Sequence, residues 1–148
     1  MIAVIQRCTH ARVTVGHRIL GEIKNGLVVL LGVKQNDTEN DADFLAGKIS
    51  NLRIFKDEKS KMNLSIKDIE GSALVISQFT LCGDTRKGRR PSFIEAALPD
   101  EGNRLYECFK DKLQLNEVDI ESGEFGAMMN VELVNNGPVT FILDSDDR

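Results

Sequence analysis

Asn135-Asn136-Gly137-Pro138-Val139-Thr140-Phe141 stands between two strand-like runs near the C-terminus, and its reading decides how the fold closes. An apolar, alternating run (127–134) enters it and another (139–143) leaves it. Two Asn, a Gly and a Pro between such runs read as a turn, so on its own the stretch predicts a hairpin. Glycine suits a position before proline and also allows positive φ. A Gly-Pro bond can be cis, although only about 5–6% of X–Pro bonds in folded proteins are. A second unusual corner is Ser77-Gln78-Phe79-Thr80-Leu81, where an apolar strand (73–76) runs into polar, hydroxyl-bearing residues.

Outward from these corners, the pattern alternates between strands and two helices. Ala3, Ile5, Ala11, Val13, Val15, Ile19 and Ile23 recur on odd positions, the period-2 signature of strands with one buried face. His17-Arg18 follows Gly16 at a hairpin tip, and Asn25-Gly26 signals a turn before Leu27-Val28-Val29-Leu30-Leu31, a strand buried on both faces. Thr38 with Asp41 three positions on resembles a helix N-terminal cap. Ala42, Leu45, Ala46, Ile49 and Leu52 continue it as an apolar stripe. The segment 52–55 predicts a short strand and 56–61 a charged loop. The segment 92–97 predicts a helical turn. Pro99 opens a longer helix to about Leu113, expected to bury Leu98, Leu105, Cys108, Phe109 and Leu113. The segment 118–122 is a strand candidate. The fold class this predicts is α+β: mixed, largely antiparallel β-sheets covered by two main helices, in one compact domain over residues 1–148.

Composition narrows the chemistry. A chain of 148 residues buries about 68–70% of its unfolded surface. A formal charge of −4 gives no general affinity for nucleic acid, so any such contact needs a local patch. Arg86, Lys87, Arg89 and Arg90 supply one in a glycine-bearing loop, although a solvated surface loop explains them equally well. Met1-Ile2-Ala3-Val4-Ile5-Gln6-Arg7 meets a charge at once, which fits neither a signal peptide nor a membrane span, and the expectation is a cytoplasmic chain. Three cysteines in no CxxC spacing, with two histidines, predict no metal; no cofactor motif is present. No Ser, Cys or His motif marks a catalytic triad. Cys82 reads as a buried hydrophobe before a nucleophile, and Thr80 is a nucleophile only with a base that the sequence does not name.

Ser77-Gln78-Phe79-Thr80-Leu81 and Asn136-Gly137-Pro138-Val139-Thr140, in this order and spacing, resemble the two signature motifs of D-aminoacyl-tRNA deacylases. The likeness extends to 1–7, to 11–15 and to Phe125-Gly126-Ala127-Met128-Met129. It implies a homodimeric hydrolase with active sites at the subunit interface, cleaving the ester of D-aminoacyl-tRNA, and of glycine mischarged on tRNA(Ala), in chiral proofreading. It implies a cis Gly137-Pro138 pair that reaches into the partner's pocket and rejects L-aminoacyl-tRNA. Backbone amides of Phe79 and Thr80 then stabilise the oxyanion, Ser77 and Gln78 shape the corner, and the tRNA 2′-hydroxyl assists catalysis. Arg7 is the candidate support for the Gly-Pro segment. Phe125 and Met129 flank the pocket, with a core role equally open to them. Arg86, Lys87, Arg89 and Arg90 become candidates for acceptor-stem phosphates on physical grounds. The rival readings are a non-catalytic tRNA-binding dimer and a Thr- or Cys-nucleophile esterase.

Overall fold

A computed structural model describes residues 1–148. Strand β1 (Ile2–Val15) is the spine, and on one edge it pairs antiparallel first with β3 (Gly26–Gly32) and then with β2 (Arg18–Ile23). Its other edge carries β8 (Asn130–Asp144) along nearly its whole length. Beyond β3 the sheet becomes parallel, through β6 (Ser72–Ser77) to β7 (Asp119–Ser122). A small hairpin, β4 (Phe55–Lys56) with β5 (Met62–Leu64), stands apart. Helices α1 (Glu39–Asn51) and α2 (Pro99–Leu115) complete the α+β architecture.

The sheet separates two apolar clusters, and strand alternation decides which residue enters which. Leu27, Val29 and Leu31 of β3 join Ala73 and Val75 of β6 beneath the helices. Val28, Leu74 and Ile76 face the other way, with Cys8, Ala11 and Val13. β3 therefore carries an unbroken apolar run because both its faces are covered. In β1 the odd positions 3 and 5 lie in the helix-covered cluster, whereas 11 and 13 lie in the second. A register shift between Cys8 and His10 against β8 inserts one extra residue, which exchanges the faces. Ile19, expected inside, is exposed, because the end of the β1–β2 hairpin outruns the packed sheet.

Helix α1 buries Ala42, Leu45, Ala46 and Ile49, and α2 buries Leu105, Tyr106, Phe109 and Leu113. Each large side chain so covered contributes about 1.5–3 kcal/mol. Three expectations are corrected here. Leu98 is 75% exposed, because it caps α2 from outside the apolar stripe. The helical turn expected over 92–97 is one hydrogen-bonded turn, from Ala96 N–H to the Phe93 carbonyl (3.1 Å), and it goes no further because long-range backbone bonds from Gln35 N–H to the Glu95 carbonyl (2.8 Å) and from Ala97 N–H to the Val33 carbonyl (3.0 Å) engage the rest. The short strand after α1 also starts later than expected, at Phe55.

The α1 cap forms as its sequence predicts. Buried Asp41 accepts hydrogen bonds from the Thr38 N–H (2.7 Å) and hydroxyl (2.8 Å), and its other oxygen meets the Arg148 guanidinium at 2.7 Å. Burial pushes the Asp41 carboxyl up, but the Thr38 and Ser145 hydrogen bonds and Arg148 outweigh it and bring it down to about 2. The folded state thus holds the proton less tightly than the unfolded one. This stabilisation is complete above the ordinary carboxylate value of 3.8 and disappears as pH falls from there toward about 2. Asp41→Asn is expected to cost about 1–2 kcal/mol at pH 7 and to flatten the acid limb of stability in that window. Urea unfolding at pH 7 and pH 3 measures both. An acid limb identical to that of the unsubstituted protein contradicts the assignment.

Candidate active site

Strands β6 and β7 are parallel neighbours, so their C-terminal ends open on the same side. The segments leaving them make two walls of a cleft of about 510 Å³. One wall is Ile76, Ser77, Gln78 and Phe79; the other runs from Phe125 to Met129. Ala97, Pro99 and Val131 close it, bringing the lining to 12 residues, none of them ionisable. No helix in the molecule is long and apolar enough to cross a membrane.

The Ser77–Thr80 corner is fixed by backbone. The Gln78 N–H donates to the Leu31 carbonyl at 2.7 Å, extending the β3–β6 pairing by one step. The chain then tightens into a 3₁₀ turn, Phe79–Cys82. The first N–H groups of such a turn have no carbonyl behind them within it. Those of Phe79 and Thr80 donate to no loop carbonyl and to no side chain, and are free for a ligand. The Thr80 hydroxyl accepts from the Gln78 side-chain amide, and no basic side chain contacts it. Cys82 packs its thiol against the Val33 carbonyl at 3.5 Å, and burial pushes its pKa up, away from the thiolate.

Phe125 and Met129 serve core and cleft together. Phe125 packs against Tyr106 at 5.9 Å between ring centroids, and Met129 presses its sulfur on Gly123 and joins the second apolar cluster. Sequence patterning marks Pro99 only as a helix opener and passes over Ile76, Ala97 and Val131. Ala127 and Met128, also in the lining, carry a signal through the 125–129 stretch.

Gly137 and Pro138 do not line this cleft. The hairpin expected there is absent: β8 continues through it, and the register shows why. Gln6 pairs with Thr140 and Cys8 with Asn135, leaving residues 136–139 opposite Arg7 alone. Four residues against one make a wide bulge, which pushes Gly137-Pro138, a cis pair, out into solvent. Arg7, buried beneath it, donates from Nε to the Asn136 carbonyl (3.2 Å) and from Nη1 to the Ile54 carbonyl (2.6 Å). Asn135 clasps the bulge from above, accepting from the Val139 N–H at 3.2 Å and donating to the Thr140 hydroxyl at 3.0 Å. Sequence reading finds Arg7 and misses the Asn135 clasp.

The basic loop is exposed. Its four cations are not equivalent, since Arg86 makes a bidentate pair with Asp84 at 2.8 and 2.9 Å and holds that carboxyl down to about 2. Lys87, Arg89 and Arg90 lie outside the ion pairs.

Comparison with known proteins fits this picture. A family model described as D-Tyr-tRNA(Tyr) deacylase matches residues 4–144. A D-aminoacyl-tRNA deacylase of Thermosipho melanesiensis is 56% identical over 146 residues, covering 98% of this chain and 97% of its own. One from Thermus aquaticus is 55% identical over 148 residues, covering 100% and 97%. Among solved structures, a c-Myc DNA unwinding element binding protein superposes with a TM-score of 0.91 at 39% identity, over 97% of this chain and 98% of that one. A probable eukaryotic D-amino acid tRNA deacylase, at 17% identity and a TM-score of 0.83, shares the fold. Fold, cleft and relatives place the molecule among the hydrolases that cleave aminoacyl-tRNA esters. The chain belongs to the D-aminoacyl-tRNA deacylase family.

Proposed function

We propose that the chain, acting in the cytoplasm as a homodimer, removes D-amino acids from tRNA, and also glycine mischarged on tRNA(Ala). Each Gly137-Pro138 bulge walls the partner's cleft, and the substrate's own 2′-hydroxyl assists hydrolysis. The observation that carries this reading is the cleft itself: 12 lining residues without one ionisable group, beside a corner with two free amides. Such a site has no general base to offer. It can bind an ester carbonyl and stabilise the oxyanion through the Phe79 and Thr80 N–H groups, each such donor being worth about 10²–10³ in rate. Ser77 and Gln78 set the angle of that corner. The remaining proton chemistry falls to the substrate, whose 2′-hydroxyl is adjacent to the ester.

Chirality requires a wall on one side of the α-carbon. Carbonyls placed there admit hydrogen and refuse a larger substituent, which accepts D-amino acids and glycine and excludes the L forms. A thousandfold preference needs about 4 kcal/mol of steric and desolvation penalty. The bulge supports this role: it is solvent-exposed, braced by Arg7 and Asn135, and absent from its own chain's cleft. Apolar Val134, Phe141 and Ile142 are exposed along the same strand, a surface suited to two-fold contact.

Mixed dimers test the arrangement. Ala127→Trp fills the cleft, and Gly137→Ala disrupts the bulge; each homodimer is expected to be inactive. Co-expressed, they should regain about a quarter of the wild-type sites, because only a partner's bulge can complete an open cleft. Mixed dimers without activity contradict the shared site.

A further inference from the structure

Between the cleft and the basic loop lies an aromatic pair that the hydrolytic chemistry does not use. Phe79 stands at the edge of the cleft wall and is 58% exposed, and Phe93 is 38% exposed. Their ring centroids are 5.0 Å apart with planes at 65°, an edge-to-face contact. The pair is held firmly. Phe93 lies over Gly83, where even a Cβ would come within 2.9 Å of its ring. The adjoining Ser92 is tied to Asp84 by two backbone bonds of 2.8 and 2.9 Å, which close the loop 85–91. With Arg86 neutralised by Asp84, that loop presents Lys87, Arg89 and Arg90. Phe79 at the cleft, Phe93 packed on it, and the cationic loop that the adjoining Ser92 closes are thus neighbours.

We propose that Phe79 and Phe93 form a stacking platform for the unpaired base next to the tRNA's terminal nucleotide, with Lys87, Arg89 and Arg90 taking the phosphates that lead back toward the stem. The inference rests on the cleft receiving the aminoacylated terminal nucleoside. Single-stranded ends are recognised by stacking on aromatic rings beside cations that track the backbone, and every base has a π-face to offer. RNA is favoured over a second copy of this chain as the occupant. In a chain of net charge −4, three cations outside the ion pairs, Lys87, Arg89 and Arg90, stand within four residues of one another in the loop that Phe93 adjoins, where a phosphate backbone complements them.

The experiment compares D-aminoacyl-tRNA with D-aminoacyl-adenosine, which lacks every nucleotide before the terminal one. Phe93→Leu keeps an apolar side chain and removes the π-face. It should raise KM for the tRNA about 10- to 100-fold with kcat little changed, and leave D-aminoacyl-adenosine turnover within about twofold of wild type. Phe93→Trp should restore the tRNA KM. Arg89→Ala with Arg90→Ala should lower the salt slope of tRNA binding by about 1.4–1.8. An unchanged tRNA KM in Phe93→Leu, or equal losses on both substrates, overturns the platform. So does dissociation of Phe93→Leu into monomers on sedimentation, which would give the rings to a subunit interface. Wild-type protein inert toward both substrates would overturn the deacylase reading, and the platform with it.

Discussion

Gly137→Ala is expected to lower D-aminoacyl-tRNA deacylation by about 100-fold or more while the protein remains folded. Gly137 has φ +124°, a backbone region that L side chains rarely adopt and that costs on the order of 1–3 kcal/mol to occupy. A Cβ here would also come within 2.8 Å of Val139 Cγ2, 2.9 Å of Arg7 Nη2 and 3.1 Å of the Val139 nitrogen. Two of those neighbours cannot swing away, since Arg7 is buried and hydrogen-bonded to Ile54 and Asn136 while the Val139 nitrogen is backbone. The bulge must therefore move, and with it the wall that the proposed function places against the substrate. The rest of β8 remains paired to β1 on both sides, so the damage stays local. The expected pattern is a large loss in kcat/KM for the D substrate, with a fall in Tm of only a few degrees. Unaltered kinetics for both enantiomers would remove the bulge from the site.

The second large effect lies in the substrate. A tRNA whose terminal ribose lacks the 2′-hydroxyl is expected to be hydrolysed at least about 100-fold more slowly than its normal counterpart, the size of a general acid–base contribution. Thr80→Ala, by contrast, should retain most of the activity. Its hydroxyl contacts only the Gln78 amide, no ionisable group lines the cleft, and the substitution keeps the Thr80 N–H. Single-turnover rates on the two substrates, with both proteins, fill a four-way table of outcomes. An inactive Thr80→Ala that still binds tRNA, together with normal turnover of the deoxy substrate, would establish the nucleophile mechanism instead.

Some of this was legible in the sequence because its causes are local. The unbroken run 27–31 reports a strand covered on both faces, and Thr38 with Asp41 reports a helix start, since each pattern carries its own physics within a few residues. The bulge was not legible. Asn, Gly and Pro loosen the chain in the same way whether it reverses or swells outward. The choice is made by β1, about 130 positions away, which offers one residue, Arg7, where β8 spends four. Residues 92–97 stop at a single turn for a similar reason, the rest of their backbone being claimed by Val33 and Gln35. In the site, motif residues 77–79 and 125–129 could be found because they are contiguous. Ile76, Ala97, Pro99 and Val131 could not, because apolar residues lining a cleft carry the same pattern as apolar residues in a core.

The central claim is a chirality filter made of main chain, and one paired measurement tests it most directly. The purified protein is given the same tRNA charged with the D and the L form of one amino acid, and kcat/KM is measured for each. The account predicts hydrolysis of the D ester with the L ester spared by about a thousandfold or more, the equivalent of about 4 kcal/mol. Equal turnover of the two esters, or none of the D ester, would contradict it.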